Sequence, residues 1–563
     1  MTRTRRASPG AVARRYIPAV AALVVVVLVA AFAGGGGGAP SAQPRTAGRA
    51  LPLTFDEAHA QGKAVRWGPH CDTTTGKVAV PLWYAPPCVE PWKGADNGGA
   101  TASGVTKDEI VVAIYQAQPS LLEQTFLARS GSDASLATEF ETNQQYRKFF
   151  ESNYEMYGRR VRLVPIRGSG PPDDDVAAKA DAIRVATEIG AFASFGGPSQ
   201  TTAYADELAA RNVLCVGDCT TAAPESFLRS RSPYVWPTLA SPDQAAEHWA
   251  DFVGKELAHR RASHAGEASL RHRMRRFGIV RYDDAPGTFN RSFARFSALL
   301  RRQGVRIATE VPYQLDLAAA QESARATIAA LREARVTSVI LAGDPVFPTF
   351  LTREATAQGY FPEWVVMGYA YTDTAVFGRQ YDQRQWKHAF GVSLLPVRQA
   401  DDIDQLAQII VWQTGQPPAA STFRILVQAQ LIFFTGVHLA GPGLTPETFR
   451  AGLFRFPADR PVRPPFLHLS WGRHRIWPSV DLTASDDATV IFWDPNARGA
   501  DEVGNTGRGL WRYALGGRRY LPGHWPDGEV GLFDRVRSVT ILRVLPPEDQ
   551  PPAYPSPAAS RPG

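Results

Sequence analysis

The sequence predicts an α/β fold with two lobes, each built on a parallel sheet flanked by helices. Three observations lead there. Over residues 107–439, short β-branched runs alternate with longer amphipathic ones. The short runs are apolar almost throughout, as strands are when a sheet is covered on both faces. Seven such strand–helix units exceed one compact half, and a Pro- and Ser-rich stretch at 231–243 breaks the series where a crossing between lobes would fall. With 563 residues and 44% hydrophobic content, the chain can bury more than one core, which excludes wholesale disorder.

In chain order, residues 1–33 place five arginines ahead of an apolar stretch ending Ala31-Phe32-Ala33. Basic, apolar and small-x-small segments in that order read as a signal peptide or N-terminal membrane anchor. The basic end is then expected to stay cytoplasmic and the remainder to be exported, extracellular or at the cell surface. Residues 34–50 read as a flexible linker, and 51–104, rich in Trp, Pro and Gly, as a disulfide-held cap.

Lobe 1 is expected to begin at 105–240, with strands at 110–115, 161–166, 191–195 and 213–216 and helices at 138–157, 176–190 and 201–211. In the second of these helices Val176, Ala180, Ile183 and Thr187 share one face at helical spacing. Lobe 2 is expected at 241–390, with helices at 241–260, 288–303, 318–334 and 346–358 and strands at 277–282, 338–341 and 364–367. Helices at 402–415 and 421–439 lie in a return to lobe 1 over 391–456. Residues 457–545, with strand signals at 489–493 and 538–544, read as completion of lobe 2 and a C-terminal extension, and 546–563 as a disordered Pro-rich tail.

The net charge of +7 does not point to nucleic acid, because the five arginines of 1–33 supply most of it. The basic run RHRMRR at 271–276 reads as solvated surface. An even cysteine count in an exported chain reads as disulfides. Four cysteines allow three connectivities, and the local pairs Cys71–Cys88 and Cys215–Cys219 are expected. Metal binding at Cys215 and Cys219 would need two further ligands, and no histidine lies nearby in sequence. Dinucleotide, P-loop, zinc-protease and nucleophile-elbow signatures are missing, so neither a catalytic residue, a cofactor nor a metal is expected. The acidic runs at 173–175, 401–402 and 486–487 lack calcium-loop spacing, and the first sits where carboxylates favour a helix N-terminus.

A binding signal appears at the ends of predicted strands. In open α/β sheets ligands sit beyond the carboxyl ends of strands, where helix N-termini present N–H groups. Small polar residues follow four such ends: Gly196-Gly197-Pro198-Ser199-Gln200-Thr201, Gly217-Asp218-Cys219-Thr220-Thr221, Gly343-Asp344 and Gly368-Tyr369-Ala370-Tyr371-Thr372-Asp373. Glycine permits close approach, hydroxyls and amides hold a polar group, and tyrosine packs an apolar portion. Helix capping by Ser and Thr is the plain alternative at each position.

The run from Gly104 to Ala113 (GVTKDEIVVA) resembles the opening of type 1 periplasmic binding proteins, in the branched-chain amino acid (Leu/Ile/Val) branch of ABC importers. Gly196-Gly197-Pro198-Ser199 followed by 213–221 is similar to that family's first-lobe ligand site, and Ala342-Gly343-Asp344 with Val366-Met367-Gly368 to its second lobe. The segment carrying Cys71 and Cys88, with Asn97-Gly98-Gly99-Ala100, resembles an extension of actinobacterial members. The likeness spans roughly 65–540.

The resemblance implies a two-lobed flytrap that closes by hinge motion on a small polar or carboxylate-bearing solute and delivers it to permease subunits. Carried over by position, Ser199 and Thr221, with the backbone at Cys219, hold a ligand carboxylate. Gln200 and Thr220 lie in the same loops. Amino-acid binders place a carboxylate for the α-ammonium where this chain has Ala370, and Asp344 or Asp373 stands in for it. Gln116, Gln118, Tyr369 and Tyr371 are further candidates by their place at strand ends. Two alternatives remain at this level: a ligand sensor of the same fold, and an extracellular hydrolase with a carboxylate pair in 457–545.

Overall fold

The computed structural model describes residues 51–94, 96–118, 135–217, 219–220, 223–283, 288–368 and 371–559. The signal or anchor segment, the linker, Thr221 and Tyr369 lie outside them.

The first sheet has five strands: β1 (Glu109–Gln116), β2 (Arg160–Arg167), β3 (Ala193–Phe195), β4 (Leu214–Val216) and β5 (Val235–Trp236). Their order is β2-β1-β3-β4-β5, and every pairing is parallel. The central residues of β1, Ile110 to Tyr115, are all buried, which is why the strand reads as an unbroken apolar run. The connections carry α1 (Leu136–Asn153), α2 (Asp175–Arg184) and α3 (Ala203–Ala210).

Asp174 caps α2 by accepting from the Val176 and Ala177 N–H groups, as the acidic run predicts. The helix, however, buries a different face from the expected one. Val176 is 79% exposed and Ile183 38% exposed. Ala178, Asp181 and Ala182 face the sheet instead, and Asp181 accepts from Tyr115 Oη at 2.9 Å and from the Ser169 N–H at 2.8 Å. A carboxylate on the inward face defeats any reading by apolar spacing.

After α4 (Pro242–Asp251) the second sheet begins with β6 (Phe277–Tyr282), α5 (Thr288–Arg302), β7 (Ile307–Tyr313), α6 (Ala320–Glu333), β8 (Ser338–Ala342), α7 (Phe347–Ala357), β9 (Glu363–Val366) and β10 (Ala389–Ser393). The chain then runs through α8 (Gln405–Thr414), α9 (Phe423–Ala440) and α10 (Pro446–Leu453). It returns to the second sheet as β11 (Ala488–Ala500), β12 (Thr506–Tyr513) and β13 (Arg519–Tyr520). The strand order is β12-β11-β10-β9-β8-β6-β7, with β13 beside β11. Strands β6 to β10 pair in parallel, whereas β11 joins its three neighbours antiparallel.

One apolar core covers the first sheet and takes in α8, α9 and α10, while the two faces of the second sheet carry a core each. Helix α9 is long and apolar enough to span a membrane, but most of it is buried in the first core. The cap is not held by its disulfide alone. Val78, Val80, Leu82, Tyr84 and Val89 are buried in the first core. So are Phe466, Leu469, Trp471 and Leu482, which places the stretch before Ala484 with the first sheet rather than the second.

The expected 538–544 strand forms only isolated bridges, Tyr513 to Val539 and Gln399 to Leu542. The Pro-rich tail is anchored rather than loose as far as Ala559. Trp412 Nε1 donates to the Tyr554 carbonyl, Ser556 Oγ to the Trp412 carbonyl, and Tyr554 Oη to Asp72 of the cap. Both cysteine pairs are disulfides, Cys71–Cys88 and Cys215–Cys219.

Candidate functional site

The candidate residues fall into two groups, one beyond the carboxyl ends of each parallel sheet. In the first group, Gln116 ends β1 and Gln118 follows it. Gln116 Nε2 donates to the Leu136 carbonyl at the start of α1 (3.2 Å), and Gln118 Nε2 to the Gly168 carbonyl beyond β2 (2.6 Å). Both amides therefore brace the strand end.

Next to them, beyond β3, the loop 196–200 leaves Ser199 half-buried and Gln200 exposed. It rests on the start of α2, where the Gln200 N–H donates to the Pro172 carbonyl (3.2 Å) and Thr201 Oγ1 to Asp175. Beyond β4 the chain turns at Gly217, whose φ of +83° suits glycine. Cys219 and Thr220 are buried. The two loops touch because Gly197 has no side chain: a Cβ there would lie 2.9 Å from the Cys219 carbonyl oxygen. The bond from Cys215 in β4 to Cys219 fixes this loop to its strand. No candidate in this group carries a charge.

The second group is acidic. Asp344 follows β8 and accepts from the Val346 and Phe347 N–H groups at 2.6 and 2.9 Å, so it organises the start of α7. It also accepts from Tyr313 Oη at the end of β7. Burial raises the pKa of Asp344, against the lowering effect of those three donors. Burial also raises that of Tyr313, with the Asp344 charge adding to it.

Tyr371 follows β9 with a φ of +64° and is 47% exposed, the only large apolar ring of the group facing solvent among the described residues. Its carbonyl accepts from the Thr374 N–H and hydroxyl. Asp373 is buried, and Ser393 Oγ at the end of β10 donates to its Oδ2. Burial pushes the Asp373 carboxyl up to about 6, while the Ser393 bond opposes the shift. Tyr313 and Ser393 were not legible as site residues, since nothing in sequence links them to Asp344 and Asp373.

Two parallel-sheet lobes, each presenting polar loops at the carboxyl ends of its strands, define a two-lobed binding protein of α/β type. The chain belongs to the periplasmic binding protein family, whose model matches residues 126–480. That family and the similar structures are binding proteins, not enzymes. The leucine-, isoleucine-, valine-, threonine- and alanine-binding protein from Brucella ovis, in its closed conformation, is 13% identical with a TM-score of 0.50, covering 78% of this chain and all 100% of that one. A solute-binding protein of an ABC transporter from R. palustris, in complex with 4-hydroxybenzoate, is 12% identical with a TM-score of 0.48, over 75% of this chain and 98% of that one. The branched-chain amino acid transporter substrate-binding protein from Streptococcus pneumoniae, in complex with isoleucine, is 11% identical with a TM-score of 0.45, over 72% and 100%. At these identities the likeness concerns the fold. A comparison with curated protein sequences gives no match.

Proposed function

We propose that the chain is an exported solute-binding protein of an ABC importer. It captures a small polar or carboxylate-bearing solute in a cleft between its lobes and presents it to permease subunits. The observation that carries this reading is the division of chemistry between the two sheet ends: neutral donors on the first, carboxylates and a tyrosine on the second. Ser199, Thr220 and Thr221, with the backbone at Cys219, would hold a ligand carboxylate, with Gln116, Gln118 and Gln200 beside them. Asp373, Asp344, Tyr369 and Tyr371 would meet the polar or cationic end and its apolar body. Residues 1–33 would direct export, with or without remaining as an anchor.

Thermal melting of the purified chain against amino acids, hydroxybenzoates and related small acids and amides tests the reading. A ligand present at 100 times its dissociation constant stabilises by about 2.7 kcal/mol, and the shift should be lost with Ser199→Ala combined with Thr221→Ala. A library that leaves the melting curve unmoved, or a shift indifferent to both substitutions, would count against the assigned site.

A further inference from the structure

We propose that His474, Asp481 and Asp486 form a binding site for one divalent metal ion of the zinc class, beside the passage that carries the chain from the first core into β11. Nothing in the solute-binding reading calls for such a site. One ligand atom from each residue lies within 4.8 Å of the others. His474 Nε2 and Asp481 Oδ2 are 3.5 Å apart. That is close to the edge of a tetrahedron around an ion with bonds of about 2.0–2.2 Å.

The state of Asp481 points to a missing ligand. Its side chain is fully buried. Its Oδ1 accepts from Gln244 Nε2 (3.0 Å), the Thr483 N–H (3.1 Å) and Thr483 Oγ1 (2.9 Å). Its Oδ2 accepts no hydrogen bond and has only the 3.5 Å contact to His474 Nε2, with the Asp486 carboxyl beside it. A buried carboxylate oxygen that accepts no hydrogen bond is costly.

Asp486 is held in place by His468 Nδ1 (2.8 Å), Ser470 Oγ (2.6 Å) and Trp477 Nε1 (2.7 Å). Among the described residues, neither Asp481 nor Asp486 has a Lys or Arg partner; Arg519, the nearby guanidinium, is committed to Asp487 at 3.0 Å. Two adjacent buried carboxylates either share a proton or are neutralised by a cation.

One imidazole nitrogen with two carboxylate oxygens suits zinc, and the fourth position falls to water or to Ser470 Oγ, 2.9 Å from His474 Nε2. Gln244, Thr483, His468 and Trp477 already orient the carboxylates, the supporting layer that metal sites use. His474 keeps 10% of its side chain exposed, which gives the ion a way in. Coordination at Nε2 puts the imidazole proton on Nδ1 and displaces the long 3.3 Å contact from the Ile476 N–H.

The test uses the full chain, stripped with a chelator and dialysed. Zn2+ titrated calorimetrically should bind at one ion per chain and raise the melting temperature. Asp481→Asn, which keeps the side-chain shape, and His474→Ala should each weaken binding at least about tenfold. Co2+ added to the unaltered chain should give visible bands of a low-coordinate nitrogen–oxygen site, a readout that holds even where a variant fails to fold. No stoichiometric uptake by the unaltered chain would overturn the proposal and leave a proton shared between Asp481 and Asp486. Equal affinity in the substituted chains would overturn it too.

Discussion

Replacing Asp373 with asparagine should change how stability depends on pH, with a sign set by the burial of its carboxyl. Asp373 is 5% exposed and its carboxyl accepts from Ser393, while burial raises its pKa from an ordinary 3.8 to about 6. Between those two pH values the unfolded chain has released this proton and the folded chain still holds it. The folded state then binds more protons, so stability falls as pH rises through the window. The shift corresponds to about 3 kcal/mol, absent below 3.8 and fully expressed above about 6. The asparagine side chain keeps the shape and can still accept from Ser393, but it does not ionise. Urea midpoints measured for the original chain and the Asp373→Asn variant from pH 4 to pH 7.5 should give a difference curve in which the original chain loses about 2–2.5 kcal/mol relative to the variant, the rest of the loss falling below pH 4. A flat difference would show that Asp373 is solvated or paired with a cation, and a rising one would reverse the sign of its environment.

Two further outcomes follow from buried partners. Replacing Cys71 and Cys88 by serine, whose bridge closes a sequence separation of 17, should cost about 3 kcal/mol in urea without reductant, and any reductant sensitivity left in that variant belongs to Cys215–Cys219. A variant as stable as the parent without reductant would refute the contribution of the Cys71–Cys88 bridge. Arg275 sits with Glu363 in a pair whose side chains are both fully buried, joined by Nε at 2.8 Å and Nη2 at 3.0 Å. Arg275→Met should therefore cost about 3–5 kcal/mol, much of it restored when Glu363→Met removes the stranded charge; equal stability of the single variant and the parent in urea would refute the pairing.

How far the sequence discloses this structure depends on what each segment buries. Strands covered on both faces announce themselves, as β1, β6 and β8 do. Strand β7 escapes notice because it is the sheet edge: Glu310 is exposed and Pro312 has no N–H to pair. Strand β10 is five residues long and includes Gly391, where a Cβ would lie 1.9 Å from the Val366 carbonyl oxygen. That glycine looks like a loop residue and is in fact a close strand contact. The basic run at 271–276 is solvated as expected except for Arg275, because the acid that draws it inward, Glu363, lies far along the chain. The candidate site divides in the same way. Its loops are legible because Gly, Ser and Thr follow apolar runs. The partners Tyr313 and Ser393 are not, because only the sheet order brings them to Asp344 and Asp373.

The passages between the sheets constrain the closing motion that the proposed function requires. Two of them run side by side, the Ala484 and Ser485 N–H groups donating to the Pro237 and Thr238 carbonyls at 3.1 and 3.0 Å. Arg519 fastens the remaining passage by donating to the Leu395 carbonyl at 2.8 Å while it pairs with Asp487. Gln244 at the start of α4 reaches Asp481 from the second-sheet side. Each buried bond of this kind contributes about 0.5–1.5 kcal/mol, more where a charge is involved, so opening the network to bend the chain would cost several kcal/mol. Closure that keeps these bonds must be a rotation of each lobe about residues flanking the network. A solute then drives closure only through contacts it makes with both sheet ends at once, because equal affinity for the open and closed arrangements would shift nothing. The histidine–carboxylate cluster lies inside the same fastened region, tied to α4 by the Gln244–Asp481 bond, so a closing rotation that keeps this bond carries Asp481 and α4 together.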